Sequence, residues 1–158
     1  MPITRMTMSH LWRGSLLLLP LLCILHQTTA STEELLRCRS NLDADIKNEF
    51  MLTKRVKQAD YVFTGKISEM KSDGPQRSIS VRVKRIIKAD RNHHLDEEVQ
   101  LRPNDTTCAV YIKRSYTGIF LAVRSKVSTS SDHQLVMHFG PVPLTVANLD
   151  RINAAIQG

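Results

Sequence analysis

The sequence predicts a mainly β fold with flanking helices: a small five-stranded Greek-key barrel with an N-terminal and a C-terminal helix. Three observations predict it. Apolar residues recur at spacings near 3.6 over residues 33–58 and again over 144–157. Between these stretches the period changes to that of short strands, some alternating and some continuously apolar. Polar turns separate the short runs closely enough for antiparallel hairpins, and such strands bury their apolar faces most simply by closing into a barrel with helices packed outside.

The first helix is predicted from Leu35, Leu42, Ile46, Phe50 and Thr53 or Lys54, with charged residues between them and no Pro or Gly over 33–58. The first strand covers 59–70, where Tyr61, Val62, Phe63 and Ile67 surround Gly65, the mark of a bulge or a close backbone approach. Residues 71–77, "KSDGPQR", are turn chemistry, because Asp-Gly-Pro cannot continue a strand. The second strand, 78–89, alternates: Ile79, Val81 and Val83 face one way, Ser80, Arg82 and Lys84 the other. Residues 90–97 form a polar loop, and 98–102 a short strand ended by Pro103. After a loop at 104–107, Cys108–Tyr111 are extended and 115–118 turn. Residues 119–123, "IFLAV", make a buried strand, 125–132 a loop, and 133–139 the last alternating strand. The final helix carries Val146, Leu149, Ile152 and Ile156 on one face. A five-stranded barrel of the oligonucleotide/oligosaccharide-binding (OB) type fits this order and length.

Residues 1–30 read as a secretory signal peptide. Arg5 and Arg13 precede an apolar run from Leu16 to Leu25, and Thr28 and Ala30 are small enough for the signal-peptidase pockets. The run is too short to span a bilayer, and no later segment is longer, so no membrane span is expected. Cleavage after Ala30 leaves 31–158 as one domain. It removes two arginines and lowers the net charge from +7 to about +5. A basic secreted chain suits sulfated glycans or anionic membrane surfaces as partners, the plainer reading being a solvated basic surface with no specific partner. It lacks the aromatic platforms of a single-strand nucleic-acid binder, so no nucleic-acid partner is expected. Cys23 leaves with the signal. Cys38 and Cys108 remain, an even pair in an oxidising compartment, and are expected to form one disulfide. It would close a loop of about 70 residues, worth about 3–4 kcal/mol on the chain-entropy argument.

No catalytic constellation is present: no nucleophile elbow, no phosphate loop and no HExxH. The chain is therefore expected not to be an enzyme and to carry no cofactor. His93 and His94 sit in a polar loop and read as solvated, so no metal site is expected. His138 alternates with Met137 and Phe139 and belongs on an outer strand face. Asn104-Asp105-Thr106 is an N-glycosylation sequon. The sequence "RVKR" at 82–85 matches a basic convertase site, but a paired strand is not an accessible loop. The stripe on the final helix either packs wholly on the barrel or leaves part of itself exposed to dock a partner helix.

Cys38 at the head of a charged helix, "YVFTGKISEM", "SISVRVKRIIKA", Cys108, "TGIFLAV", "HQLVMHF" and "LTVANLDRINAAI" together resemble the N-terminal domain of agrin. That domain belongs to the netrin-like and tissue-inhibitor-of-metalloproteinases group of OB folds. The resemblance covers residues 38–157. It implies a secreted, basement-membrane protein of the extracellular matrix whose last helix docks on the γ-type chain of a laminin coiled coil. The matching contact residues here are Leu149 and Ile152, following Asn148, with Val146 and Ile156 on the same face. Further cysteines of the agrin domain are missing here, and Asp150 and Arg151 stand where it has glutamates. An alternative from the same group is metalloproteinase inhibition, in which an N-terminal cysteine chelates the catalytic zinc through its amine and carbonyl. Residues 31–37 would precede Cys38 and block that chelate. A small secreted signalling ligand is the third reading.

Overall fold

Alternation and helical periodicity resolve into five strands and three helices in the computed structural model, which describes residues 18–73, 76–90, 94–104, 107–108, 111–125 and 135–158. The helices are α1 (Leu18–Lys47), α2 (Glu49–Gln58) and α3 (Val146–Gln157). The strands are β1 (Tyr61–Asp73), β2 (Gln76–Lys88), β3 (Glu98–Pro103), β4 (Thr117–Arg124) and β5 (Leu135–Pro143). The chain divides into two compact units, Met1–Glu34 and Leu35–Gly158. The first consists, where described, of the beginning of α1. The second holds the rest of α1 and every other element. Among the described residues no helix is long and apolar enough to cross a membrane.

The strands close in the order β1-β2-β3-β5-β4, with β4 pairing back onto β1. Every pairing is antiparallel except β3 with β5, where Leu101 faces Leu135. This is a five-stranded Greek-key barrel of the OB type with flanking helices, the architecture the sequence predicts. Two glycines let the sheet curve. At Gly65, beside a bulge, an added Cβ would lie 2.5 Å from Val81 Cγ1. Gly140 adopts φ +99°, in the left-handed region, where β5 shifts register against β4.

The alternation along each strand makes two cores. Inside the barrel lie Phe63, Ile67, Val81, Leu101, Phe120 and Met137, with the Phe63 and Phe120 rings stacked at 5.6 Å. On the outer face, Val62, Ile119, Leu121, Phe139 and Val142 meet Leu42 and Ile46 of α1, Leu52 and Val56 of α2, and Ile152 and Ala155 of α3. Cys38 and Cys108 are joined by a disulfide, with their Cα atoms 5.5 Å apart.

Several local expectations are corrected. The predicted single helix over 33–58 is broken at Asn48, which leaves helical geometry (φ −84°, ψ 107°) and caps α2 by accepting from the Met51 N–H at 3.1 Å. The break shifts the helical phase, so Leu52 and Val56 continue the buried face of Leu42 and Ile46. Phe50, in line for an unbroken helix, is 75% exposed instead. The turn expected over 71–77 is shorter, because β1 and β2 stay paired out to Asp73 and Gln76. Leu95, in the loop read as polar, is buried in the barrel interior. Neither Cys108 nor Tyr111 lies in a strand. The loop expected over 125–132 lies outside the described residues beyond Ser125, as do His93, Asp105 and Thr106.

Candidate functional site

The final helix begins where β5 ends, and its start is fixed by polar bonds. Thr145 is the N-cap, and its hydroxyl accepts from the Asn148 N–H at 3.2 Å. The Asn148 amide turns back and donates to the Pro143 carbonyl at 2.9 Å. The Thr145 N–H also donates to Pro143 O, and Leu149 N–H to Thr145 O, both at 3.0 Å. The first turn of α3 is therefore presented in one orientation relative to the barrel.

The four apolar residues of α3 divide along its length. Val146 is 76% exposed, and Leu144 just before the cap is 41% exposed. Leu149 is half-buried and packs on the outer core, as does Ile156, the penultimate residue of the helix. Ile152 is 0% exposed. The structure therefore corrects the expected strip centred on Leu149 and Ile152. Ile152 has no surface to offer a partner, because the middle of α3 lies against α2 and the barrel. The apolar surface that remains is Leu144, Val146 and the outer part of Leu149 at the N-terminal end of the helix, and the outer part of Ile156 at the other end. Asp150 and Arg151 flank it and are exposed, and the Arg151 guanidinium reaches Asn148 Oδ1 at 3.5 Å.

The other side of α3 borders a cleft of about 270 Å³ against the end of α1 and the start of α2, lined by Ile46, Glu49, Leu52, Arg151 and Ala155. Across the barrel wall, α2 is held to β2 by Lys88. Its ammonium donates to the Val56 carbonyl at 2.8 Å and also to that of Ala59, satisfying the end of the helix.

His138 lies on the outer face of β5, as its alternation predicts, but under α2, with its Nε2 3.1 Å from Arg55 O. Burial pushes its pKa below the ordinary histidine value, against the opposing pull of that backbone bond. The Arg55 guanidinium sits 5.4 Å over the Phe139 ring and 3.6 Å from the Asp45 carboxylate. The Tyr116 phenol, stacked 5.4 Å from Tyr111, is pushed up to about 12, chiefly by burial, and stays protonated at neutral pH. Among the described residues no group of three His, Cys, Asp or Glu is placed to hold a metal ion. Asn104 is exposed, immediately after β3.

One charged surface is only partly visible in the sequence. Arg82 and Lys84 belong to it by alternation along β2. Lys66 and Arg85 join them only through pairing: Lys66 stands opposite Arg82, and Arg85 opposite Thr64. No protein-family model matches this chain, and no curated protein matches it in sequence.

Proposed function

We propose that the protein is a secreted, non-enzymatic component of the extracellular matrix, of basement-membrane type, that binds a laminin-type coiled coil through the start of α3. The observation that carries this reading is Val146, a large apolar residue left exposed on a rigidly capped helix turn, with Leu144 beside it and Leu149 one turn on. Apolar residues three apart on a helix are the anchors by which one helix docks against others. Val146 and Leu149 have that spacing. The resemblance to the agrin N-terminal domain supplies the partner class, a trimeric laminin coiled coil with its γ-type chain. The single disulfide and the basic charge suit a protein that works outside the cell.

The test is binding of the purified protein to a trimeric laminin coiled-coil fragment, beside a Leu144→Asp/Val146→Asp variant. Wild type should bind. The variant should not, while unfolding at the same temperature. Absence of binding by the wild type would refute the partner, and undiminished binding by the variant would refute the surface.

A further inference from the structure

We propose that the outer face of the β1–β2 hairpin is a second, separate binding surface, built for a linear sulfated polysaccharide. The inference rests on the reading of the protein as secreted, since that is where such chains are met. It does not rest on the α3 surface.

The surface is set by register. Lys66 and Arg82 are direct cross-strand partners, and so are Thr64 and Arg85. Directly paired residues point to the same side of the sheet, with the two strands about 5 Å apart. That side is the outer one, because the residues next to them, Phe63, Ile67, Val81 and Val83, turn into the barrel. Lys84 is the extra residue of the bulge between these two pairs and is exposed. Thr117 of β4 continues the row on the far side of Lys66. Four exposed cations thus stand on a single strand-paired face with the exposed Thr117 beside them, while Thr64 is buried.

Their arrangement costs the fold something. Like charges directly opposite in an antiparallel pair repel, and no ion pair found among the described residues takes up Lys66, Arg82, Lys84 or Arg85. Glu98 stands opposite Arg82 on β3. Its Oε1 accepts from the Ser68 hydroxyl at 2.7 Å. Glu97, whose carbonyl accepts from the Val83 N–H, lies next to it. These two acids bound the strip on one side and give it a direction along β1 and β2. A polyanion laid along the strip would relieve the repulsion.

The chemistry of the strip selects among polyanions. None of its exposed side chains, Lys66, Arg82, Lys84, Arg85 and Thr117, is aromatic, so there is no platform on which bases could stack. None is an apolar wedge for a lipid surface, and Ile86 next to Arg85, though 40% exposed, is paired with Phe63 and so lies outside the row. What remains is a narrow row of cations, complementary to sulfate groups repeated along a chain.

The test is affinity of the full secreted protein for immobilised heparin over a range of salt, with desulfated heparin and phosphatidylserine vesicles as parallel arms. The key variant is Lys66→Ala/Arg82→Ala/Arg85→Ala, and the charge-matched control is Lys54→Ala/Arg77→Ala/Arg102→Ala. Wild type should bind heparin and not its desulfated form. The key variant should bind at least about tenfold more weakly, with the slope of log affinity against log salt reduced by roughly three, about one per lost cation. The control should keep most of the affinity. Equal loss in both variants, undiminished binding by the key variant, or a strip-dependent affinity for vesicles but not heparin would each overturn the proposal. The Leu144→Asp/Val146→Asp variant should bind heparin like the wild type. Heparin binding without coiled-coil binding would therefore reject the α3 reading and leave this one standing.

Discussion

Replacing Ile152 and Val146 separately by alanine should separate what α3 does for the fold from what it offers a partner. Ile152 is fully buried among residues of α2, α3 and the barrel. Truncation to alanine removes three buried carbons, about 2.4 kcal/mol at roughly 0.8 kcal/mol each, before the cavity left behind is counted. Measured costs for such truncations run from about 2 to 5 kcal/mol, so about 3 kcal/mol is expected here. For a domain of this size that lowers the melting temperature by roughly 10 °C. Val146 is only about a quarter covered, so its truncation should cost less than about 0.5 kcal/mol of stability, and alanine's better helix propensity offsets part of that. In binding the order reverses. Two carbons newly buried at an interface over three-quarters of their surface are worth about 1.2 kcal/mol, an affinity loss of roughly eightfold. Thermal unfolding by circular dichroism reads the first quantity, and titration against a laminin coiled-coil fragment the second. A melting temperature for Ile152→Ala within about 2 °C of wild type would refute the placement of Ile152 in the core. Equal destabilisation by the two variants would refute the division of the helix.

Further consequences can be checked. Gly65→Ala places a Cβ 2.5 Å from Val81 Cγ1 and 3.0 Å from Arg82 O, inside the barrel wall, and should destabilise by about 1–3 kcal/mol in denaturant titration. His138 has a folded pKa below its unfolded value, so the unfolded chain takes up the proton first as pH falls. Its contribution is complete above about pH 6.5 and is lost as pH drops from there through the lower folded pKa. A plot of melting temperature against pH should therefore be flatter below pH ~6.5 in His138→Gln than in wild type; parallel curves would contradict this. Asn104 is expected to carry an N-linked glycan in secreted material, which a mass loss on glycosidase treatment, absent from Asn104→Gln, would establish.

The elements most legible in the sequence are those with one buried face. Ile79, Val81 and Val83 announce β2 because their neighbours are polar, and "IFLAV" announces β4 because both its faces are covered, one by the barrel interior and one by helices. The disulfide was legible from parity alone. What could not be read is phase and pairing. The apolar spacing through Phe50 is as regular as the spacing through Leu52, and only the cap at Asn48 decides between them. The stripe on α3 is visible in sequence, but which part of it is covered depends on where the helix crosses α2. Half of the basic strip was legible for the same reason. Arg82 and Lys84 alternate along one strand, whereas Lys66 on β1 and Arg85, out of alternation on β2, join them through a register set by bulges.

The Cys38–Cys108 bond also fixes what a protease could and could not release. The basic sequence at 82–85 lies inside the covalent loop that this bond closes, within paired β2. A cut there would open the backbone yet leave both halves joined as a two-chain molecule, with the basic strip broken and α3 still attached. A cut after Cys108 is different in kind. It would leave the piece bearing α3 held to the rest only by strand pairing and packing, free to depart once those give way. Position relative to a single sulfur bridge thus separates a nick that disables one surface from one that sheds the other.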